Sequence, residues 1–474
     1  MSFNTLLFVG FIIPVLILYW EVFAPRSVNW RNAFLLIASY VFYGAWDWRF
    51  LGLIVFSSGV DFVVGRQLGI ERNTRTRKAL LGLSLAVNLG LLGIFKYLGF
   101  FSDSLQDLLG WFGMQADVPT LNLLLPVGIS FYTFQTLGYT IDIYRKQLEP
   151  EQNPLTFFTY VAFFPQLVAG PIERASRLLP QLNRAPSFDE MRVRSGLRLI
   201  LWGYFKKVVI ADNLAYYVDP VFASPEGVGW IPSTIAVIAF SFQIYGDFSG
   251  YSDIAIGLSR LMGIELMTNF RAPYRAASMR EFWQRWHISL STWFRDYLYI
   301  PLGGNRKGSA RTSLNIFLTF TISGLWHGAH ITFVVWGMLH GFALLIERQL
   351  SKFVRVPRQL AILLVGLFAG LCWIPFRAAN WLEAKEVTTA LFRASPDGWN
   401  QLMDQAVLRD WMVLGSLLLL MIVDAFADRK TFDEWVTGAL GKTWMRWIFY
   451  GLLVQLFIML GRFSEPPQFI YFQF

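Results

Sequence analysis

The sequence predicts an all-α polytopic membrane protein, a bundle of about 11 to 12 transmembrane helices joined by re-entrant and amphipathic interfacial helices. Three observations point there. Of 474 residues, 55% are hydrophobic and 15% charged, with a mean hydropathy of +0.43. A soluble domain carries roughly 25% charged residues, so this chain holds too little charge to coat a soluble core. Apolar runs approach the roughly 20 residues that a membrane helix needs: Leu6 to Tyr19, Ala79 to Phe95, Ile231 to Tyr245, Gln359 to Phe376 and Met412 to Val423. The short alternating segments of a membrane β-barrel do not occur. Basic residues, finally, cluster in alternate connections, the mark of cytoplasmic loops.

In chain order, the first run has no basic flank or small-residue cleavage site and reads as a retained helix, not a removed signal. Spans starting near Leu6, Ala33 and Phe50 lead into the connection from Arg66 to Lys78. That connection holds Arg66, Arg72, Arg75, Arg77 and Lys78 against the single acid Glu71. The excess places it in the cytoplasm and the N-terminus outside. Residues 102–120 carry Asp103, Asp107 and Asp117 with no Lys or Arg, and fall outside; Arg145 and Lys146 return inside. Residues 219–230, with Asp219 and Glu226 and no base, are external again. The stretch "FFTYVAFFPQLVAGPIER" contains Pro165 and Pro171 and reads as re-entrant, because irregular backbone at membrane depth must be covered by protein. The stretch "SMREFWQRWHISLSTWFRDYLYIPLGGNRKG" mixes Arg280, Glu281, Arg285, Arg295 and Asp296 with Trp283, Trp286, Trp293 and Phe294. Too charged to span, it reads as amphipathic helices on or dipping into the cytoplasmic face. The last span, Trp447 to Leu460, then runs outward and leaves the C-terminus outside. Residues 1–474 read as a single integral-membrane domain, with lipid and not nucleic acid as the surrounding partner. The net charge of +9 is accounted for by cytoplasmic connections. The lone Cys372 rules out a disulfide framework and a cysteine metal site.

The chain has four histidines, and three of them, His327, His330 and His340, lie in the apolar stretch "TFTISGLWHGAHITFVVWGMLHG"; His287 is the fourth. His327 stands about 16 residues, or about 24 Å, beyond the basic Arg306, Lys307 and Arg311, past the middle of a hydrocarbon layer about 30 Å thick. A neutral imidazole there can take a proton from a hydroxyl and return it to a leaving group. It can equally be a packing histidine hydrogen-bonded across helices. His327 and His330 lack the carboxylate of a metalloprotease motif, and no metal is expected. Other ionisable groups at depth are Asp61, Lys96, Lys206, Lys207, Asp247 and Asp253, which either line a path or brace helices. No nucleophile elbow, P-loop or dinucleotide fingerprint occurs.

Taken together, "FFPQLVAGPI", "QIYGDFSGYSDIAIGLSRLMGI", "NFRAPY", "EFWQRWHISLSTWFRDYLYIPLGG" and "SGLWHGAH" resemble the membrane-bound O-acyltransferase family. The likeness runs from about Asn32 to Phe474 and is strongest to the bacterial branch that O-acetylates exopolysaccharides such as alginate. It implies a helical bundle with funnels on both faces that meet near a catalytic histidine. His327 matches that histidine in its W-H-G motif, and His287 matches the family's second histidine. Trp326, Asp247 and Asp253 fall in the tunnel and polar core. The implied activity is transfer of an acyl group, expected to be acetyl, from a cytoplasmic thioester to an exopolysaccharide hydroxyl across the membrane. The donor would be acetyl-CoA or an acyl-carrier thioester, used as substrate with no bound cofactor. D-alanyl or another acyl transfer to cell-envelope polymers is the alternative, and a transporter or flippase a further one. The resemblance also implies a periplasmic polysaccharide acetyltransferase of esterase fold as partner. Arg306 and Lys307 either meet donor phosphates or only mark the cytoplasmic side. The ending "EPPQFIYFQF" reads either as an interfacial aromatic anchor or as an acyl relay in which Tyr471 accepts the group from His327.

The orientation is open to a direct measurement. With Cys372 replaced, a cysteine introduced at Thr76 is expected to resist an impermeant maleimide in intact cells. Labelling of that cysteine would reverse the topology.

Overall fold

The computed structural model describes residues 1–114, 125–168, 170–394, 407–428, 430–462, 467 and 469–472. Every element among them is helical and no strand occurs. The chain is a multi-pass membrane protein. Eight stretches of the described residues are long and apolar enough to cross a bilayer, and one of these, Val28–Ile70, is two 20-residue helices in succession. The five apolar runs of the sequence all fall inside helices. The gap between eight and the expected eleven or twelve has a physical origin. Helix Ile129–Tyr144 is buried along most of its length and helix Gly308–His327 buries Thr312, Asn315, Thr319 and Ser323. A helix that faces protein can carry polar groups that a lipid-facing one cannot, and its mean hydropathy falls accordingly.

The described residues form two compact units. The first takes residues 1–193 with 259–266. It contains α1 (Leu6–Leu18), α2 (Val28–Asp47), α3 (Leu51–Ile70), α4 (Thr74–Leu92), α5 (Leu98–Trp111), α6 (Ile129–Tyr144), α7 (Pro154–Ala162), α8 (Phe164–Leu167) and α9 (Ala175–Leu182). The side chains of Thr5, Ser27, Asn73 and Asn153 cap α1, α2, α4 and α7 by accepting first-turn N–H groups. Asp61 is fully buried, and its carboxylate accepts from Asn88 Nδ2 (2.7 Å), Thr140 Oγ1 (3.0 Å) and Ser84 Oγ. This intramembrane acid therefore braces α3, α4 and α6. Arg77, one of the expected cytoplasmic charges, donates to the terminal carbonyls of Leu68 in α3 and of Ile143 (3.2 Å) and Tyr144 (2.8 Å) in α6, where a cation suits the helix dipole. The expected re-entrant stretch breaks at Phe163 into α7 and α8, of 9 and 4 residues, both too short to span, and Phe163, Phe164 and Leu167 are wholly buried.

The second unit takes residues 194–258 and 267–474, and it contains all four histidines. It contains most of α10 (Glu190–Tyr204) and of α12 (Trp230–Leu261). It also holds α11 (Asp212–Ala223), α13 (Met279–Arg285), α14 (Ile288–Phe294), α15 (Gly308–His327), α16 (Ile331–Leu350), α17 (Arg358–Arg377), α18 (Trp381–Ala390), α19 (Leu408–Ala427), α20 (Phe432–Ala439) and α21 (Thr443–Leu460). Helix α17 shows its lipid face plainly: Leu363, Leu367 and Leu371, four residues apart, are each at least half exposed. Its other side buries Ala369, Trp373 and Phe376. A π-helical turn, Phe205–Ala211, joins α10 to α11 and carries Lys206 and Lys207. Backbone meets backbone where it crosses α12. A Cβ on Gly250 would stand 2.7 Å from the Gly203 carbonyl oxygen and 2.9 Å from the Lys207 nitrogen. Small residues permit this approach, as between membrane helices generally, and it brings both lysines to the carboxylates of α12.

Gly250→Ala is therefore expected to cost about 1–3 kcal/mol through overpacking, read as a lower thermal midpoint in detergent. Gly366→Ala on α17, where a Cβ meets nothing within 4 Å, is the control and should leave the midpoint unchanged or slightly raised.

Candidate functional site

His327 is the last residue of α15 and is 4% exposed. The chain leaves the helix at Gly328, where a Cβ would lie 2.1 Å from the Phe333 ring. Glycine there lets the backbone turn against α16, and the imidazole stays in the interior. Its walls are aromatic. Ring centroids lie at 5.0 Å for Trp326, 5.0 Å for Trp336, 5.3 Å for Phe376 and 5.7 Å for Tyr471.

His287 separates α13 from α14. It takes a left-handed conformation (φ 42°, ψ 55°) as the cap residue of α14, and it is wholly buried. A left-handed non-glycine residue is strained, so its surroundings must hold it. Asn269 does so. Its Oδ1 accepts from Ser289 N (3.2 Å) and Ser289 Oγ (2.9 Å), and its Nδ2 donates to Ser252 Oγ (3.2 Å). The amide is thereby oriented. Oδ1 must also accept from His287 Nδ1 at 3.2 Å, which puts the proton on Nδ1 and makes Nε2 the acceptor nitrogen of the ring. Burial holds this imidazole below its ordinary range, so it is neutral. The expected interfacial helices are thus present but short, with Met279, Phe282, Trp283, Trp286, Leu290, Trp293 and Phe294 turned into the protein.

Tyr471 lies between the two histidines, its ring 5.7 Å from His327 and 6.3 Å from His287. Its hydroxyl is buried and has no hydrogen-bond partner among the described residues. Burial raises the phenol pKa above its usual value, so the group is protonated at rest. Among the contacts that hold the segment, Asp247 Oδ2 accepts from Ile470 N at 2.8 Å, and the Phe248 ring lies tilted against Tyr471 at 4.3 Å. Asp247 in turn pairs with Lys207 at 2.6 Å, and Lys207 pairs with Asp212 at 2.7 Å; all three side chains are at most 3% exposed. Asp253 pairs with Lys206 at 2.7 Å. Both acids of "YGDFSGYSDIAIG" are therefore ion-paired braces.

The remaining sequence candidates lie elsewhere. Arg306 and Lys307 are exposed at the start of α15, about 30 Å from His327 by helical rise. His330 caps α16, its Nδ1 accepting from Thr332 N at 3.3 Å. His340 is enclosed by Trp336 at 4.9 Å and Trp283 at 5.0 Å. Sequence reading missed Asn269, Asp212, Phe248, Trp336 and Phe376. Asn269 and Phe248 had a signal in their places in "NFRAPY" and "QIYGDFSGYSDIAIGLSRLMGI", and Asp212 in its closeness to Lys207 in sequence; Trp336 and Phe376 join the site through tertiary packing.

Comparison with known proteins shows the family to which the chain is similar. The family model for membrane-bound O-acyltransferases matches residues 148–374, a range that includes His287 and His327. A probable alginate O-acetylase of Pseudomonas aeruginosa is 41% identical over 439 residues, covering 91% of this chain and 82% of that protein. A peptidoglycan O-acetyltransferase of Helicobacter pylori is 32% identical over 519 residues, covering 100% of this chain and 97% of that protein. A teichoic acid D-alanyltransferase of Bacillus subtilis is 30% identical over 235 residues, covering 47% of this chain and 58% of that protein.

If Asn269 Oδ1 is the hub that holds His287, Asn269→Leu strands the Ser289 N–H and the His287 Nδ1–H. A loss of about 1–3 kcal/mol is expected, measured by thermal unfolding in detergent. An unchanged midpoint would remove Asn269 from that role.

Proposed function

Because this chain belongs to the membrane-bound O-acyltransferase family, we propose that it moves an acetyl group from a cytoplasmic thioester, acetyl-CoA or an acyl-carrier thioester, towards the hydroxyls of an exopolysaccharide, with His327 as the proton-transfer residue. That it is an O-acyltransferase follows from the family and from the O-acetyltransferases it resembles. Acetyl is favoured over D-alanyl by coverage, since the similarity to the acetylating relatives extends over 91% and 100% of this chain and that to the D-alanyltransferase over 47%. The compartment is the bacterial inner membrane, with His327 nearer the periplasmic face and both termini outside.

The observation that carries the mechanism is the position of Tyr471 between His327 and His287 with its hydroxyl buried and unbonded among the described residues. In the proposed relay His327 takes the phenol proton while the Tyr471 oxygen attacks the thioester carbonyl. The carbon–oxygen bond forms, the carbon–sulfur bond breaks, and the imidazolium returns its proton to the departing thiolate. His287, neutral and with Nε2 as acceptor, helps to orient the phenol. The product is an aryl ester, a good donor because a phenol of pKa about 10 leaves more readily than an alkyl alcohol. A periplasmic esterase-fold partner then takes the acetyl group to the polymer, since the described residues form helices suited to the membrane and no separate fold for a polymer is among them. Arg306 and Lys307, exposed and about 30 Å from His327 by helical rise, fit the basic mark of the cytoplasmic side rather than contacts to the donor at the reacting thioester.

Purified protein in liposomes with acetyl-CoA should carry an acetyl adduct on the peptide containing Tyr471, seen by mass spectrometry. His327→Ala is expected to keep the fold and slow the adduct roughly a hundred- to ten-thousand-fold. Full polymer acetylation by Tyr471→Phe, in the presence of the partner, would sink the relay and leave the tail as an aromatic anchor. Preference for an aminoacyl carrier over acetyl-CoA would turn the assignment to D-alanyl transfer.

A further inference from the structure

The proton-transfer mechanism does not use the buried ion cluster of α12 and the π-helical turn. The cluster has one ammonium, Lys207, and two carboxylates, Asp212 and Asp247, at 2.7 and 2.6 Å. Arg462 also acts on Asp212, which leaves Asp247 as the carboxylate that shares Lys207 and needs a further polar partner in an interior of low dielectric. The tail supplies it. Ile470 N donates to Asp247 Oδ2 at 2.8 Å, and Lys207 Nζ lies 3.5 Å from the Pro467 carbonyl oxygen. The same face of α12 supplies the aromatic seat. The Phe469 ring lies tilted against Tyr251 at 4.8 Å and edge-on to Phe248 at 5.9 Å.

We propose that Lys207, Asp212 and Asp247 form a clamp that grips the main chain of the tail and sets the register of Tyr471 against His327. The inference rests on the relay reading above and adds the residues that position the nucleophile. The anchored amide belongs to Ile470, and the next residue carries the phenol. Consecutive Cα atoms are about 3.8 Å apart, so while that hydrogen bond stands Tyr471 has little freedom to leave the histidines. A slip of one residue would present Ile470 or Phe472, neither of which has a hydroxyl. The clamp reads backbone, not side chain, and therefore sets position without depending on the identity of residue 470. Lys207 and Asp247 are positioning residues: they act through the tail and not on the acyl group.

The test uses the full chain in detergent or nanodiscs and two readouts, hydrogen–deuterium exchange of the tail amides and the rate of acetyl adduct formation on Tyr471. Ile470→Pro removes the donated N–H without touching the buried cluster; Asp247→Asn removes the charge at constant shape. Both are expected to raise exchange at residues 471 and 472 and to slow the adduct about tenfold or more, since a hydrogen bond to a charged group is at stake. Ile470→Val, which keeps the N–H, should keep the protection. Unchanged exchange in Ile470→Pro and Asp247→Asn would overturn the clamp. So would a freed tail that is acetylated at the wild-type rate. If the wild-type chain carries no adduct at all, the relay falls and the exchange arm alone decides: a tail released by the two variants supports the clamp, and a tail still protected overturns it.

Discussion

A charge taken out of water costs several kcal/mol unless a partner meets it, and within a membrane helix bundle water is rarely the partner. That constraint shapes both units. Asp61 is bonded by three side chains from α4 and α6, and Arg77 spends its donors on the last carbonyls of α3 and α6. Lys207 is flanked by two carboxylates, and one of them, Asp247, also accepts from the backbone of the tail. In each case a group too polar for the membrane ties together segments distant in sequence. The glycine crossing at Gly203 and Gly250 belongs to the same account, because without backbone contact the lysines could not reach α12.

The histidines obey the constraint differently. An imidazole can be buried neutral, so it supplies proton chemistry without the permanent cost of a carboxylate or ammonium. His287 shows how the protein fixes its state. Asn269, oriented by Ser289 and Ser252, places the proton on Nδ1. His327 sits among Trp326, Trp336 and Phe376, which give it shape and dryness. The two rings differ in what surrounds them, and Tyr471 stands between.

The helical architecture was legible because membrane physics writes it in the sequence as length and hydropathy: all five apolar runs became helices. The break in the stretch around Phe163 was legible from Pro165 and Pro171, and the burial of His327 from its place in an apolar run. Helices such as α6 and α15 escaped a hydropathy count because protein, not lipid, surrounds them. Asp212 lies five residues after Lys207, a spacing that an ordinary α-helical pattern does not pair; the π-helical turn brings the two together. Trp336 and Phe376 look like any apolar residue until the fold turns them towards the histidines. The role of Asp247 was half legible. Its depth suggested a brace, but that it holds the tail depends on a contact across 223 positions of sequence.

Moving an acyl group through a membrane sets two demands that conflict. A thioester must be opened to a nucleophile, yet water, present at high concentration on either face, must not reach it. Aromatic walls around His327 meet the second demand. They would also exclude a hydrated polysaccharide, which carries its water with it. A tyrosine on a tethered segment resolves the conflict in the proposed relay. Its phenol is the one hydroxyl delivered into the dry site, its ring fills the space that water would take, and the segment is held by a main-chain hydrogen bond rather than by further polar side chains. The partner meets the polymer in water, and only the acetyl group passes between the two environments. On this view the ion cluster beneath the tail and the imidazole above it belong to one device, because a nucleophile that arrives without its solvent must have its position supplied by the protein.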